Sequence, residues 1–464
     1  MEYIENRIFD EIELGETASL MRTLSQEDIE LFAVMSGDVN PAHLDLEYAR
    51  SDMFHKIIAH GMWGGSLIST LLGTKLPGPG TIYLAQTLKF KRPVALGDTI
   101  TVTIKAVAKD EQRNGITFDC TCVNQKGEVV ISGSAEVIAP TERVKRPRIT
   151  LPEVFLYEHG ARYHTLIEAA DKLDPVTVAV INPFEPDFLA SIVEATQKNI
   201  IKPIIIGPTT KIRAAAEAAG IDITPFKIHE AEYGGMSARE AVKLARLGEV
   251  DALVKGNLPY EDLMQAVNAP NTGLTTNQRM SHAFIMDVPM YSKLLFLTDA
   301  VLNIYPDLDA KRDIVQNAID LAHVVGLENP KVAILSAVLT VNEHIKSTLD
   351  AAALCKMVDR GQISGGIVDG PLSFDTAISA QATKERGIIS PVAGIADILV
   401  VPDLESGNIL ARQLEYLAEA QGIGVVLGAR VPIMLAIHAD SHITHLASYA
   451  LASLLAHSRH AITP

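Results

Sequence analysis

An acid and an imidazole stand close together in the stretch Ser36-Gly37-Asp38-Val39-Asn40-Pro41-Ala42-His43-Leu44-Asp45. Pro41 disfavours a helical Asn40, so Asp38 and His43 are expected on a loop rather than on one helical face. Further on, Ala59-His60-Gly61-Met62-Trp63-Gly64-Gly65-Ser66 sets small residues in front of an apolar run that includes Ser69. An acid and a base on a loop, with glycines opening a helix beyond them, are parts for proton transfer beside a helix start that stabilises negative charge. Taken singly, Asp38 also reads as a helix cap and His43 as a surface histidine. The set of Asp38, His43, His60-Gly61-Met62 and Ser69 is far more specific than either alone.

That set, with Leu76-Pro77-Gly78-Pro79-Gly80, Leu88-Lys89-Phe90 and Pro93-Val94-Ala95-Leu96-Gly97-Asp98, resembles the MaoC-like family of (R)-specific enoyl-CoA hydratases over about residues 25–140. The resemblance implies an α+β hotdog fold, a long helix wrapped by a curved antiparallel sheet. It implies hydration of a trans-2-enoyl-CoA to the (R)-3-hydroxyacyl-CoA. Asp38 and His43 would hold and activate the water, Ser69 would orient Asp38, and the Gly61 N–H would polarise the thioester carbonyl. It also implies pairing into a homodimer or higher homo-oligomer.

The elements that must position these residues are readable in outline. Ser25-Gln26-Glu27-Asp28 is a capping box, and the helix it starts is expected to turn Ile29, Phe32, Ala33 and Met35 inward. From Thr81 the pattern changes to period two, with strict alternation over Thr99-Ile100-Thr101-Val102-Thr103-Ile104, much of residues 117–123, and a further strand over 129–137. Cys120 and Cys122 share one face of a strand and read as core thiols.

The chain has 464 residues, so two or three domains are expected. Hydrophobic residues make up 48% and charged residues 21%, a globular composition. A formal net charge of −16 disfavours nucleic acid and anionic membrane as partners. Three cysteines argue against a disulfide framework, and no apolar run approaches a membrane span. The acidic start Met1-Glu2-Tyr3-Ile4-Glu5 lacks a signal-peptide pattern, so a cytoplasmic location is expected.

Residues 140–152 carry three prolines and a basic excess, and the reading divides the chain there: domain 1–139, linker 140–155, domain 156–464. Beyond it, strands at Val176–Ile181 and about 203–207, 251–254, 332–335, 366–368, 398–401 and 424–427 alternate with helices at about 187–198, Thr209–Ala219, 237–247 and 309–325. That alternation predicts a mostly parallel α/β sheet. Gly-rich strand ends are plentiful, but none is a Walker A or dinucleotide fingerprint.

Residues 157–455 resemble the phosphate acetyltransferase and butyryltransferase family. The stretches that carry this are Met236-Ser237-Ala238-Arg239-Glu240-Ala241, Arg279-Met280-Ser281-His282-Ala283-Phe284, Leu297-Thr298-Asp299-Ala300 with Asn303, Asp369-Gly370-Pro371-Leu372-Ser373-Phe374-Asp375, and Val401-Pro402-Asp403-Leu404-Glu405-Ser406-Gly407-Asn408. The resemblance implies a two-lobed α/β fold like that of isocitrate and isopropylmalate dehydrogenases, with one lobe at 156–290 plus 431–464 and the other at 291–430. It implies acyl transfer between CoA and phosphate, with CoA thioesters and phosphate as substrates, no covalently bound cofactor and no metal. Arg279, Asp299, Asn303, Asp375 and His438 fall at its site positions. The chain departs from the family at Ile437-His438, where Ser-Arg is usual, and at Thr275, where butyryltransferase-like members commonly carry Arg. Two readings follow: a bifunctional hydratase and transferase, or a hydratase whose second half binds CoA or oligomerises without transferring phosphate.

Overall fold

The computed structural model describes residues 2–152, 154–232, 234–436 and 441–462, with side chains as far as Arg459. It divides into two compact units, Met1–Leu156 and Tyr157–Pro464. Among the described residues no helix is long and apolar enough to cross a membrane.

The first unit is a five-stranded antiparallel sheet in the order Thr17–Thr23, Thr99–Asp110, Gly115–Val123, Val129–Ile138, Ile82–Phe90. The helix Gly61–Thr74 buries Trp63, Gly64, Gly65, Ile68, Leu71 and Leu72 against it, which is the hotdog arrangement. Gly64 is what permits the approach: a Cβ there would lie 2.3 Å from Ile131 Cδ1. The period-two pattern becomes alternating burial, with Ile100, Val102, Ile104, Cys120 and Cys122 all inside. Burial pushes the Cys120 thiol up to about 11 and that of Cys122 to about 12, so both are inert core thiols.

The capping box forms at Ser25 and Asp28 and starts the helix Gln26–Ser36, which turns Ile29 and Ala33 inward. Met35 does not follow them; it is 72% exposed. The apolar stripe reaches the core only over the first two turns, and the helix then runs out over the surface. Residues 140–152 are more ordered than a plain spacer: Lys145–Pro147 pairs antiparallel with Tyr3–Glu5.

The second unit is built on an eleven-stranded sheet. Its order is Lys227–Glu230, Ile201–Gly207, Val176–Ile181, Ala252–Lys255, Ile433–Leu435, Gln421–Leu427, Ser281–Asp287, Leu295–Thr298, Ile398–Val400, Lys331–Leu335, Ile367–Leu372. The pairs are parallel except around Gln421–Leu427 and Ser281–Asp287, whose ladders are antiparallel. The expected mostly parallel sheet is therefore present, with an antiparallel centre that the alternation of strands and helices did not announce. Val176, Val178 and Val180 face one cluster with Phe188 and Leu189, while Ala179 and Ile181 face another with Ala238 and Leu253. Both faces are buried, as a parallel strand requires.

Two histidines in this unit make its stability acid-sensitive. His282 is fully buried with neither ring nitrogen partnered, and burial, reinforced by Arg412, holds its pKa down at about 3. His445 is held down at about 4, first by burial and then by His442. Both stay neutral in the fold where the unfolded chain, titrating near 6.5, takes up protons. Stability owed to them is complete above pH 6.5 and is lost as pH falls toward 4, by up to about 1.4 kcal/mol per pH unit for each. Thermal unfolding followed from about pH 7 to 4.5 should show this slope, and His282→Gln should remove roughly half of it.

Candidate functional site

The first unit gathers its polar residues where one helix stops and another begins. Gln26–Ser36 ends at Gly37, whose φ of 73° turns the chain out of the helix. Asp38 follows on the loop. The Asn40 side chain accepts the Ala42 N–H at 3.1 Å and caps the single turn Pro41–Leu44, which carries His43. The expected loop is thus a loop only at Asp38. Asn40 is non-helical, but Pro41 occupies a first helical position, where its missing N–H costs nothing, and starts a turn.

His43 Nδ1 lies 2.9 Å from the Ile58 carbonyl oxygen. A carbonyl only accepts, so in the neutral ring Nδ1 carries the proton and Nε2 keeps its lone pair. His60 Nε2 lies 3.0 Å from the Asp38 carbonyl oxygen, across 22 residues of sequence. The same reasoning leaves His60 Nδ1 as an acceptor, and that atom is buried without a partner. The two rings lie 4.0 Å apart, centroid to centroid. Asp38, His43 and His60 each place one polar atom within 4.8 Å of the others.

This group adjoins a cavity of about 330 Å³ lined by His43, His60, Gly61, Trp63, Phe90 and Lys91, among others. Gly61 is the first residue of its helix, so its N–H has no acceptor within the helix. Lys91 is exposed and unpaired among the described residues, while Arg92, also on the wall, approaches Glu128 at 3.4 Å. The cavity therefore offers carbon surface, a helix-start donor, an imidazole acceptor and a cation.

Ser69 does not join the group. It sits on an exposed face of the same helix, eight residues beyond Gly61, or roughly 12 Å along the axis. The Asp38 carboxylate accepts instead from the Asn40 N–H at 3.2 Å. His60, which was legible only as part of a motif, holds the Asp38 backbone in place. Replacing His60 with alanine should lower turnover at this site roughly tenfold, with glutamine, which can still donate to the Asp38 carbonyl, recovering part of it. A merely structural role would instead lower the melting temperature equally in both variants.

In the second unit, Arg279, Asp299 and Asn303 form one chain of contacts. Asp299 is buried, and its carboxylate accepts the N–H groups of His282 at 3.1 Å, Val301 at 3.0 Å and Leu302 at 2.9 Å. Asn303 donates to Asp299 at 2.6 Å and to the Met280 carbonyl at 3.0 Å, and its oxygen accepts from Arg279 at 3.2 Å. Burial raises the Asp299 pKa and these hydrogen bonds oppose it. Asp299 is thus an anchor, and Arg279 is the exposed end of what it anchors. Asp375 pairs with Arg386 at 2.8 Å, and its carboxyl is held low first by Ser373. His438 lies outside the described residues, as does Ile437.

Residues 236–453 match the family described as phosphate acetyl/butaryl transferase, and residues 11–126 match the MaoC like domain. The phosphate acetyltransferase of Rhizobium meliloti is 50% identical over 301 residues, which is 65% of this chain and 95% of that protein.

The chain belongs to the phosphate acetyl/butyryl transferase family.

It carries a MaoC-like domain ahead of the transferase half, and it is an enzyme. The phosphate butyryltransferase of Clostridium acetobutylicum is 39% identical over 279 residues, 60% of this chain and 93% of that protein. The branched-chain phosphotransacylase of Enterococcus faecalis V583 shares the fold at 27% identity, with a TM-score of 0.53 over 60% of this chain and 99% of that one. Arg279, Asp299, Asn303 and Asp375 fall within the transferase match, and Asp38, His43, His60, Gly61 and Ser69 fall within the MaoC-like match.

Proposed function

We propose that this is a bifunctional acyl-CoA enzyme. The MaoC-like half hydrates a trans-2-enoyl-CoA to the (R)-3-hydroxyacyl-CoA, and the other half moves acyl groups between CoA and phosphate. The observation that carries the first activity is the contact of His43 Nδ1 with the Ile58 carbonyl oxygen at 2.9 Å. With its Nδ1 proton given to the Ile58 carbonyl, Nε2 is the base that takes a proton from water. Asp38 holds the water as it adds to the double bond. The Gly61 N–H donates to the thioester oxygen and stabilises the charge that collects there as the enolate forms. Ser69 is given no role here, because it makes no bond to Asp38.

The second activity rests on membership of the transferase family and on Arg279, whose guanidinium suits phosphate oxygens. We read this half as two lobes, 156–290 with 431–464, and 291–430, in the manner of isocitrate dehydrogenase. Two smaller apolar clusters support that reading, one around Ala238, Leu253 and Leu263, the other around Leu372, Leu399 and Val401. CoA thioesters and phosphate are the substrates, the assembly is a homo-oligomer, and the enzyme works in the cytoplasm.

The deciding experiment mixes the full chain with acetyl-CoA or butyryl-CoA and phosphate and follows free thiol and acyl phosphate. Phosphate-dependent release of both is expected. Binding of CoA without release would select the other reading, a transferase-like half that no longer transfers.

A further inference from the structure

One chain holds both sites in a fixed one-to-one ratio. The product of the first is a thioester, and a thioester is what the second cleaves. We infer that the transferase half takes a 3-hydroxyacyl-CoA as its acyl donor, so that the chain turns a trans-2-enoyl-CoA, water and phosphate into a 3-hydroxyacyl phosphate and free CoA. This rests on the bifunctional reading and deepens it by naming the acyl group.

The cavity beside Arg279 carries the argument. It measures about 490 Å³, and besides Arg279 its wall is mostly hydroxyl and amide, from Asn268, Thr275, Thr276, Asn277, Gln278 and Asn303, with Met280 and Leu302 as the apolar members and Asp313, paired with Arg312 at 2.9 Å, as the one carboxylate. An unsubstituted acyl chain is held best by carbon surface. An acyl group with a hydroxyl on its third carbon would lose its bonds to water against carbon and regain them here. Not every group on the wall is free. Thr276 Oγ1 is spent on the Gly428 carbonyl at 2.7 Å, and Asn303 is tied between Asp299 and Arg279. The side chains of Thr275 and Asn277 are exposed and have no partner among the described residues. With Asn268, which is also exposed on this wall and has no side-chain partner among the described residues, they are groups that can meet the substrate hydroxyl.

The two steps balance without a further reagent. Water adds its hydroxyl to the third carbon of the enoyl group and a proton to the second. A phosphate oxygen then attacks the thioester carbonyl carbon, the carbon–sulfur bond breaks, and the thiolate leaves with the proton that phosphate gives up. Placing both steps on one chain keeps the two sites in equal molar amount wherever the enzyme is expressed.

The test uses the full chain with crotonyl-CoA and phosphate, following free thiol and identifying the acyl phosphate. Thiol release is expected from the wild type, is expected to vanish in His43→Ala, and should return in that variant when (R)-3-hydroxybutyryl-CoA is supplied instead. The wild-type kcat/KM for (R)-3-hydroxybutyryl-CoA should exceed that for butyryl-CoA by at least about tenfold, and the ratio should fall toward one in Thr275→Val/Asn277→Leu. Butyryl-CoA used as well or better by the wild type would overturn the inference. So would thiol release from crotonyl-CoA in His43→Ala at the wild-type rate. An unchanged ratio in the double variant would overturn the pocket assignment. If no acyl-CoA gave an acyl phosphate, acetyl-CoA included, the bifunctional reading itself would fail.

Discussion

Replacing His43 with alanine is expected to slow hydration of crotonyl-CoA by at least about a hundredfold while leaving acetyl transfer to phosphate unchanged. The His43 imidazole stands on the cavity wall, and its bond to the Ile58 carbonyl fixes the direction of its other nitrogen. Its proton is committed to a backbone carbonyl, which no side-chain substitution alters. Alanine therefore removes the base without disturbing what aims it. Asp38→Ala should be comparably severe for a different reason: the loop would stay, held by His60, but the water would lose its second anchor. Steady-state hydration kinetics for both variants, with the transferase reaction of the same preparation as an internal control, decide the matter. Near-normal hydration in either would remove that residue from the mechanism.

The second large effect is expected at Asp299. Its carboxylate satisfies three backbone N–H groups and the Asn303 amide from a nearly dry position. Alanine leaves all four donors facing nothing. Each unsatisfied donor costs about 1–3 kcal/mol, and allowing for relaxation the total should reach roughly 3–5 kcal/mol. The loss extends to function, because Asn303 would no longer be held where it meets Arg279. Asp299→Asn should fall between, since the amide keeps the volume but turns an NH2 toward two of the donors. Urea unfolding of the transferase half, read beside phosphate-dependent thiol release, measures both consequences. A stable Asp299→Ala protein with full transferase activity would show that the anchor is not needed.

The fold was readable where a local pattern had no competitor. The alternation at Thr99-Ile100-Thr101-Val102-Thr103-Ile104 becomes alternating burial, and the run Val176–Ile181 is a strand with those limits. The sheet centre was less readable. Ser281–Asp287 and Leu295–Thr298 are antiparallel neighbours buried throughout, so neither alternation nor an intervening helix marks them. Met35 looked like a core residue because apolarity at helical spacing says nothing about how far along a helix the core extends. In the site, Asp38 and His43 were legible as types at a spacing. The bond from His60 to the Asp38 carbonyl joins residues 22 apart through a backbone atom, and a backbone carbonyl has no letter in the sequence. Ser69 shows the converse: a residue set by motif among the others, which the rise of its own helix carries away from them.

The two units close around separate apolar clusters, one built on Trp63, Leu71 and Phe118, the other on Phe188, Phe296 and Tyr449. A calorimeter should accordingly register two endotherms, with a total heat larger than the van't Hoff enthalpy of either. Gentle warming would then yield molecules that have forfeited one trade and kept the other, and an inherited lesion in one half would leave the second chemistry of the cell intact.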